Sequence, residues 1–208
     1  MSIFKKKIAS IVCIGFCIMF LSGLYHVDKK HDIYYTTHNN NQFCSTEFIK
    51  SWSSVIKKSS KKYNVDPKLI KSIICIESSG NKKATSRSHA VGLMQIKPLS
   101  AGKEVYRFKK KDGQPSVYDL YNPTINIDIG TAYIHILQHR DLVGINNTEM
   151  LRYATIVSYV NGSDKLLKIL SNNRRKAVKK INQMTKKEFF YYIKKNIQPC
   201  KLGNILKK

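Results

Sequence analysis

The strongest constraint on the fold is the segment 66–80, "DPKLIKSIICIESSG", which carries both a start and a stop signal for one helix. Asp66 is a good N-cap, Pro67 suits the first helical position, and Gly80 fits the C-terminal cap. Between these signals, isoleucines recur at helical spacing, at Ile70, Ile73 and Ile74. The spacing predicts an amphipathic helix whose apolar stripe is buried.

Glu77 occupies the next position of that apolar stripe, in the last turn of the predicted helix. The helix dipole and the loss of water both disfavour a negative charge there, so we expect the pKa of Glu77 to be raised. A carboxylic acid that is still protonated near neutral pH suits general acid catalysis. The alternatives are a buried glutamate paired with a lysine or arginine, or a helix-end glutamate turned to solvent.

The rest of the chain predicts a mainly α fold with few strand signals, as one compact domain over about residues 45–198. A short strand is expected only near "QPSVYDL", residues 114–120. Asn122 and Pro123 open a further helix, and Thr185 with Glu188 forms a capping box. The other helical patterns are 148–161, 163–170, 174–182 and the stripe of Phe48, Trp52, Val55 and Ile56.

The N-terminus predicts export. A basic start is followed by an uncharged apolar run over residues 8–24, typical of a signal sequence or a membrane anchor. Cys13 and Cys17 follow Val12 and Phe16, which makes neither a convincing lipidation site. We therefore expect residues 1–24 to be a signal or anchor, 25–44 a linker, and 199–208 a basic tail. The domain would face the periplasm in the cell envelope.

The net charge of +24 suggests a polyanionic partner, either nucleic acid, a membrane surface or a cell-wall polymer. The alternative is a solvated basic surface that reflects only a lysine-rich composition. Export argues against a nucleic-acid partner. Outside the signal, Cys44 and Cys200 could pair, while Cys75 fits a small core residue, and the cysteine spacing is unlike that of a metal site.

Four ordered motifs carry a family resemblance: a helix that ends in Glu77-Ser78, "GLMQ" at 92–95, "NPTINIDIGTAY" at 122–133, and "SYVNG" at 158–162. Over about residues 50–195 the chain resembles the lytic murein transglycosylases with an α+β, lysozyme-like domain and a glycan-binding cleft. It is most similar to the endo-acting, membrane-bound members of Gram-negative outer membranes. The lipid-attachment cysteine of those members is missing here.

The resemblance implies a role for each matching position. Glu77 would be the sole catalytic acid and base, and Gly130 and Tyr133 would belong to the scaffold under the site. The implied substrate-binding residues are Ser86, Ser88, Met94, Gln95, Tyr159 and Asn161. The family's cleft is closed by a tyrosine-bearing C-terminal helix, and here Tyr191 or Tyr192 could substitute only in a different register.

The implied chemistry uses one carboxylate, whereas ordinary glycosidases need two. No second acid stands out in the sequence, and the scheme requires no metal or cofactor. The substrate would be the peptidoglycan glycan strand, with the apolar N-terminal segment contacting the membrane. Two alternatives stay open: a muramidase on the same fold, with water as nucleophile, and a cell-wall-binding homologue with impaired turnover.

Overall fold

The computed structural model describes residues 50–197 and folds them mainly into α-helices, which confirms the predicted fold class. The helices are α1 (Ser53–Tyr63), α2 (Pro67–Ser78), α3 (Lys103–Phe108), α4 (Val117–Tyr121), α5 (Pro123–Ile136), α6 (Thr148–Asn161), α7 (Ser163–Leu170), α8 (Arg174–Gln183) and α9 (Lys186–Asn196). π-helical turns precede α3, at Pro98–Gly102, and follow α5, at Leu137–Asp141.

Helix α2 begins where its sequence predicts. The Asp66 carboxylate accepts a hydrogen bond from the Lys68 amide at 2.8 Å, and Pro67 is the first helical residue. The helix ends at Ser78, and Ser79 takes the left-handed conformation, with φ 51°. The stop therefore comes one residue before Gly80. The predicted isoleucine stripe is fully buried.

Helix α5 runs through the middle of the first core. The Asn122 side chain caps it by accepting from the Thr124 and Ile125 amides. Most of its length is buried, and it packs against α1, which precedes it by some sixty residues. The first core joins α1, α2, α5 and the long loop between α2 and the first π-helical turn. We call residues 79–97 the cleft loop.

A second core joins the helices of the C-terminal half, α6 to α9. Helix α6 belongs to both cores: Ile156 packs in the first, while Ala154 and Val157 pack in the second. The C-terminal end of α6 consequently lies where the two cores meet.

The strand expected over residues 114–120 is wrong. Ser116 and Asp119 form a capping box that starts α4, with the Ser116 hydroxyl accepting from the Asp119 amide at 3.0 Å. Between residues 50 and 197, extended pairing is limited to two isolated antiparallel bridges in the cleft loop, Thr85 with Val91 and Val91 with Ile96. The capping pattern Ser-x-x-Asp was the overlooked signal.

Several expectations concern residues that the structure does not describe: the signal or anchor, the linker, Phe48, Cys44, Cys200 and the basic tail. Within residues 50–197, no helix has the length and apolar character needed to cross a membrane. Cys75 is buried, as predicted, and it is disulfide-bonded.

Candidate functional site

The two cores leave a cavity of about 400 Å³ between the end of α2, the cleft loop, α5 and the end of α6. Six of the seven predicted site residues line this cavity, although they come from three separate elements. They are Glu77, Ser86, Ser88, Gln95, Tyr159 and Asn161.

Glu77 enters the cavity from the penultimate position of α2, and the residue is half-buried. The face of α2 that carries the buried isoleucines therefore lines the cavity at the last turn of the helix. Nearby wall residues Ile76, Ala90 and Val160 are apolar. The end of α2 is fixed to the cleft loop because the Ser78 hydroxyl donates to the Leu93 carbonyl at 2.7 Å.

Polar side chains hold the cleft loop in its own conformation. The side-chain nitrogen of Gln95, Nε2, donates to the backbone carbonyls of Ala84 and Gly92, both at 3.1 Å. The Ser86 hydroxyl accepts from the Ala90 amide at 3.0 Å and lies 3.1 Å from the Ser88 hydroxyl. Gln95 therefore shapes the wall, while the two serine hydroxyls form a polar pair at its edge.

Asn126 is the main anchor of the cleft loop, and it is not among the site residues predicted from the sequence. This fully buried residue of α5 accepts from the Met94 amide at 2.8 Å. Its side-chain nitrogen donates to the carbonyls of Val91, at 2.9 Å, and Leu120, at 2.8 Å. Gly92 has φ +77° and passes so close that a Cβ there would collide with the Asn126 amide. The signal in the sequence is an amide flanked by the isoleucines Ile125 and Ile127.

Met94 lies beneath the cavity and not in its wall, contrary to the expectation that it lines the groove. Its side chain is 0% exposed and packs on Gly130, where any Cβ would collide with the Met94 sulfur. The close approach of α5 permitted by Gly130 draws Met94 into the core. Met94 contributes to the site through its backbone carbonyl, which accepts a hydrogen bond from the Tyr159 hydroxyl at 2.8 Å.

Two tyrosines form the floor of the cavity. The rings of Tyr133 and Tyr159 meet edge to face, with centroids 5.4 Å apart. Burial raises the pKa of Tyr159 well above its ordinary value, and the nearby charge of Glu77 adds to the shift. The Tyr159 phenol therefore stays neutral near pH 7 and acts as a donor to Met94, not as a base.

Asn161 presents an unsatisfied acceptor at the end of α6. Its amide nitrogen donates to the Val157 carbonyl at 3.2 Å, while its buried amide oxygen has no hydrogen-bond partner. Buried polar atoms without partners are rare in folded proteins, and a catalytic role is one reason for them. Asn161 also lines the cavity, which makes its side chain a candidate for ligand binding.

Among the described residues that line the cavity, Glu77 alone carries a carboxyl group. Outside the cavity wall, Arg140 pairs with two further acids: it lies 2.5 Å from Glu104 and 2.6 Å from Asp141, and Asp141 also accepts from the Ser163 hydroxyl. Burial raises the pKa of Tyr133 to about 12, and the charges of Glu104, Asp141 and Asp164 add to the shift. One cation, Lys97, also lines the cavity, and the sequence analysis did not single it out.

Comparison with known proteins identifies the family. The model of the Transglycosylase SLT domain matches residues 54–182, which contain every residue of the cavity wall named above. This chain belongs to the lytic murein transglycosylases. A "Membrane-bound lytic murein transglycosylase E" of Buchnera aphidicola subsp. Baizongia pistaciae is 50% identical over 98% of this chain and 96% of its own. An "Endo-type membrane-bound lytic murein transglycosylase A" of Enterobacter sp. is 48% identical over 70% of this chain and 71% of its own.

A solved structure shares the fold of this transglycosylase. An inactive mutant of the lytic transglycosylase Slt from Pseudomonas aeruginosa superposes with a TM-score of 0.50 at 22% identity. The match covers 76% of this chain and 25% of that one. The similarity therefore concerns the domain that forms the cavity.

Neither tyrosine considered as a closing residue of the transglycosylase cleft lies in the cavity wall. Tyr191 is 69% exposed on α9, and the Tyr192 hydroxyl donates to the Ile169 carbonyl at 2.8 Å in the second core. The register of α9 thus directs both residues away from the cavity.

Proposed function

We propose that this transglycosylase cleaves the glycosidic bond between N-acetylmuramic acid and N-acetylglucosamine in murein, without water, at Glu77. The observation that carries the proposal is that the described cavity wall holds a single carboxyl group, that of Glu77. A hydrolase of the two-carboxylate kind needs a second acid or base across the sugar. One carboxyl group suffices when the substrate supplies its own nucleophile.

Glu77 acts twice in this scheme. As an acid, it donates its proton to the glycosidic oxygen as the bond from that oxygen to the muramic C1 breaks, and the acetamido group of the same sugar stabilises the cation. As a base, the Glu77 carboxylate then takes the proton of the muramic C6 hydroxyl, and the C6 oxygen bonds to C1. The products are an anhydro-muramic end and a free N-acetylglucosamine end, and Glu77 is protonated again.

The neighbouring residues position the sugar. In this proposal the amide oxygen of Asn161, which has no partner among the described residues, accepts the N–H of an N-acetyl group, and Ser86 and Ser88 offer hydroxyls at the cavity edge. Gln95 acts indirectly, because its amide nitrogen holds the cleft loop. Tyr159 likewise acts by supporting the loop through Met94, and no step requires it to lose a proton.

We further propose that the enzyme works in the cell envelope, anchored to a membrane and facing the periplasm. Its relatives are named membrane-bound, some of them endo-type, which supports an anchored enzyme that cuts within glycan strands. The apolar run 8–24 would supply the anchor, and outer-membrane placement follows only by resemblance. The strongly basic chain suits a substrate that carries carboxylates.

The test is digestion of purified murein in water enriched in ¹⁸O, followed by mass spectrometry of the soluble products. We expect anhydro-muramic ends without ¹⁸O. Reducing muramic ends carrying ¹⁸O would mean that water is the nucleophile and that the enzyme is a muramidase. Undigested murein that nevertheless retains the protein would mean a binding protein without turnover.

A further inference from the structure

An exposed aromatic patch lies on α4, outside the cavity. Tyr118 is 87% exposed, Val117 is 49% exposed and Tyr121 is 37% exposed. Tyr118 and Tyr121 are three positions apart on this helical turn, so their rings share one side of it. Grouped exposed apolar side chains on a soluble domain commonly mark a binding surface.

The patch contacts the cleft loop next to the cavity wall. The Tyr121 hydroxyl lies 2.7 Å from the Thr85 hydroxyl, and Thr85 directly precedes Ser86 of the wall. The backbone of α4 is also fixed to the same anchor as the cleft loop, since Asn126 donates to the Leu120 carbonyl. Helix α4 is therefore held at a set position beside the loop that forms one edge of the site.

We propose that Tyr118 and Tyr121, with Val117, form an outer glycan subsite beyond the cavity. A glycan strand is a polymer and continues past a cavity of about 400 Å³. Sugar rings have apolar C–H faces and polar rims, and tyrosine offers a matching apolar ring with a polar tip. The patch carries no acidic side chain other than Asp119, which is engaged in the capping box, so the strand's carboxylates meet no free negative charge there. This inference rests on the proposed function.

The length of the bound glycan decides whether the patch contributes to binding. A sugar bound at α4 contributes only when the strand is long enough to fill the cavity and the patch together. A short oligosaccharide occupies the cavity alone. Loss of the patch should thus weaken long strands more than short ones, which a general loss of structure would not do.

The test uses the full chain with Glu77→Gln, so that binding is measured without turnover. Tyr118→Ala is added to this background, and the matched control is Tyr191→Ala, which removes an exposed tyrosine on α9, away from the cavity. We expect Tyr118→Ala to weaken binding to long, uncrosslinked glycan strands about three- to tenfold more than to a murein tetrasaccharide. Tyr191→Ala should bind both as its parent does.

Three results would overturn the subsite: unchanged binding of long strands by Tyr118→Ala, equal losses for long and short glycans, or an equal loss with Tyr191→Ala. If the patch instead pairs two copies of the chain, replacing Tyr118 would lower the mass measured by sedimentation. That result would also overturn the subsite. Digestion by the wild type is read separately. Water as the nucleophile would refute the proposed chemistry while leaving the outer subsite intact.

Discussion

Single residues decide the chemistry that this domain can perform. Glu77 continues an isoleucine stripe that is otherwise fully buried, and the cavity begins where that stripe ends. The periodicity of α2 predicts that position from the sequence alone. The indirect roles of Tyr159 and Met94 could not be predicted, because a hydrogen bond between residues 65 positions apart leaves no trace in local spacing.

The role of Tyr159 gives the first prediction. Tyr159→Phe removes the hydrogen bond to the Met94 carbonyl, so we expect the free energy of unfolding to fall by about 1–2 kcal/mol. The rate of murein digestion per folded molecule should fall less than about tenfold, because the hydroxyl serves the loop and not the reacting bond. Urea denaturation and an initial-rate assay check the two parts. A hundredfold loss of rate in a fully folded variant would instead mean direct action of the hydroxyl on Glu77 or the sugar.

At the scale of elements, the helices are well predicted and the loops are not. Asp66, Asn122 and Thr185 cap the helices that their sequence patterns predict, because capping is a local interaction. The segment 114–120 forms a helix and not the expected strand, because the capping box at Ser116 starts a helical turn there. The cleft loop depends on contacts with α5, more than thirty residues away, that no local pattern encodes.

The cleft loop gives the second prediction. Asn126→Leu leaves the Met94 amide and the carbonyls of Val91 and Leu120 without their partner. We expect the free energy of unfolding to fall by at least about 3 kcal/mol, and digestion to be lost with it. The midpoint of urea denaturation checks the first part.

The control for this variant is Asn196→Ala, which removes an exposed amide whose side-chain nitrogen donates to the Tyr192 carbonyl. Its unfolding midpoint should stay close to that of the wild type. Similar midpoints for both variants would contradict the anchoring role of Asn126.

At the scale of the whole molecule, acidic residues are scarce and are used as connections within the basic chain. Asp128 of α5 accepts from the Tyr63 hydroxyl at 3.0 Å and pairs with Lys62 of α1 and with Lys109. Burial opposes ionisation of Asp128, but the hydrogen bonds and charges of the two lysines outweigh it, so its pKa lies below the ordinary value. The net charge predicts an excess of basic surface, yet only the structure identifies this junction, in which Asp128 contacts Tyr63, Lys62 and Lys109.

The junction gives the third prediction, on acid stability. Because the folded-state pKa of Asp128 is lowered, its contribution is complete above the unfolded pKa of about 4 and is lost as the pH falls through the folded value. We expect Asp128→Asn to be about 1–2 kcal/mol less stable than the wild type at pH 7, with the difference shrinking in acid. Urea denaturation at a series of pH values checks this. The control is Asp112→Asn, at an exposed position, and a difference that persists unchanged at pH 2 would contradict the ion-pair account.

The central claim is that one carboxyl group serves as both acid and base, and Glu77→Gln tests it most directly. The matched control is Glu188→Gln, because glutamine keeps the capping box at Thr185. The measurement is the rate at which anhydro-muramic ends form from purified murein. We predict a loss of at least about a thousandfold for Glu77→Gln, with murein binding retained, and a rate near wild type for Glu188→Gln. Anhydro ends formed at the wild-type rate by Glu77→Gln would contradict the account.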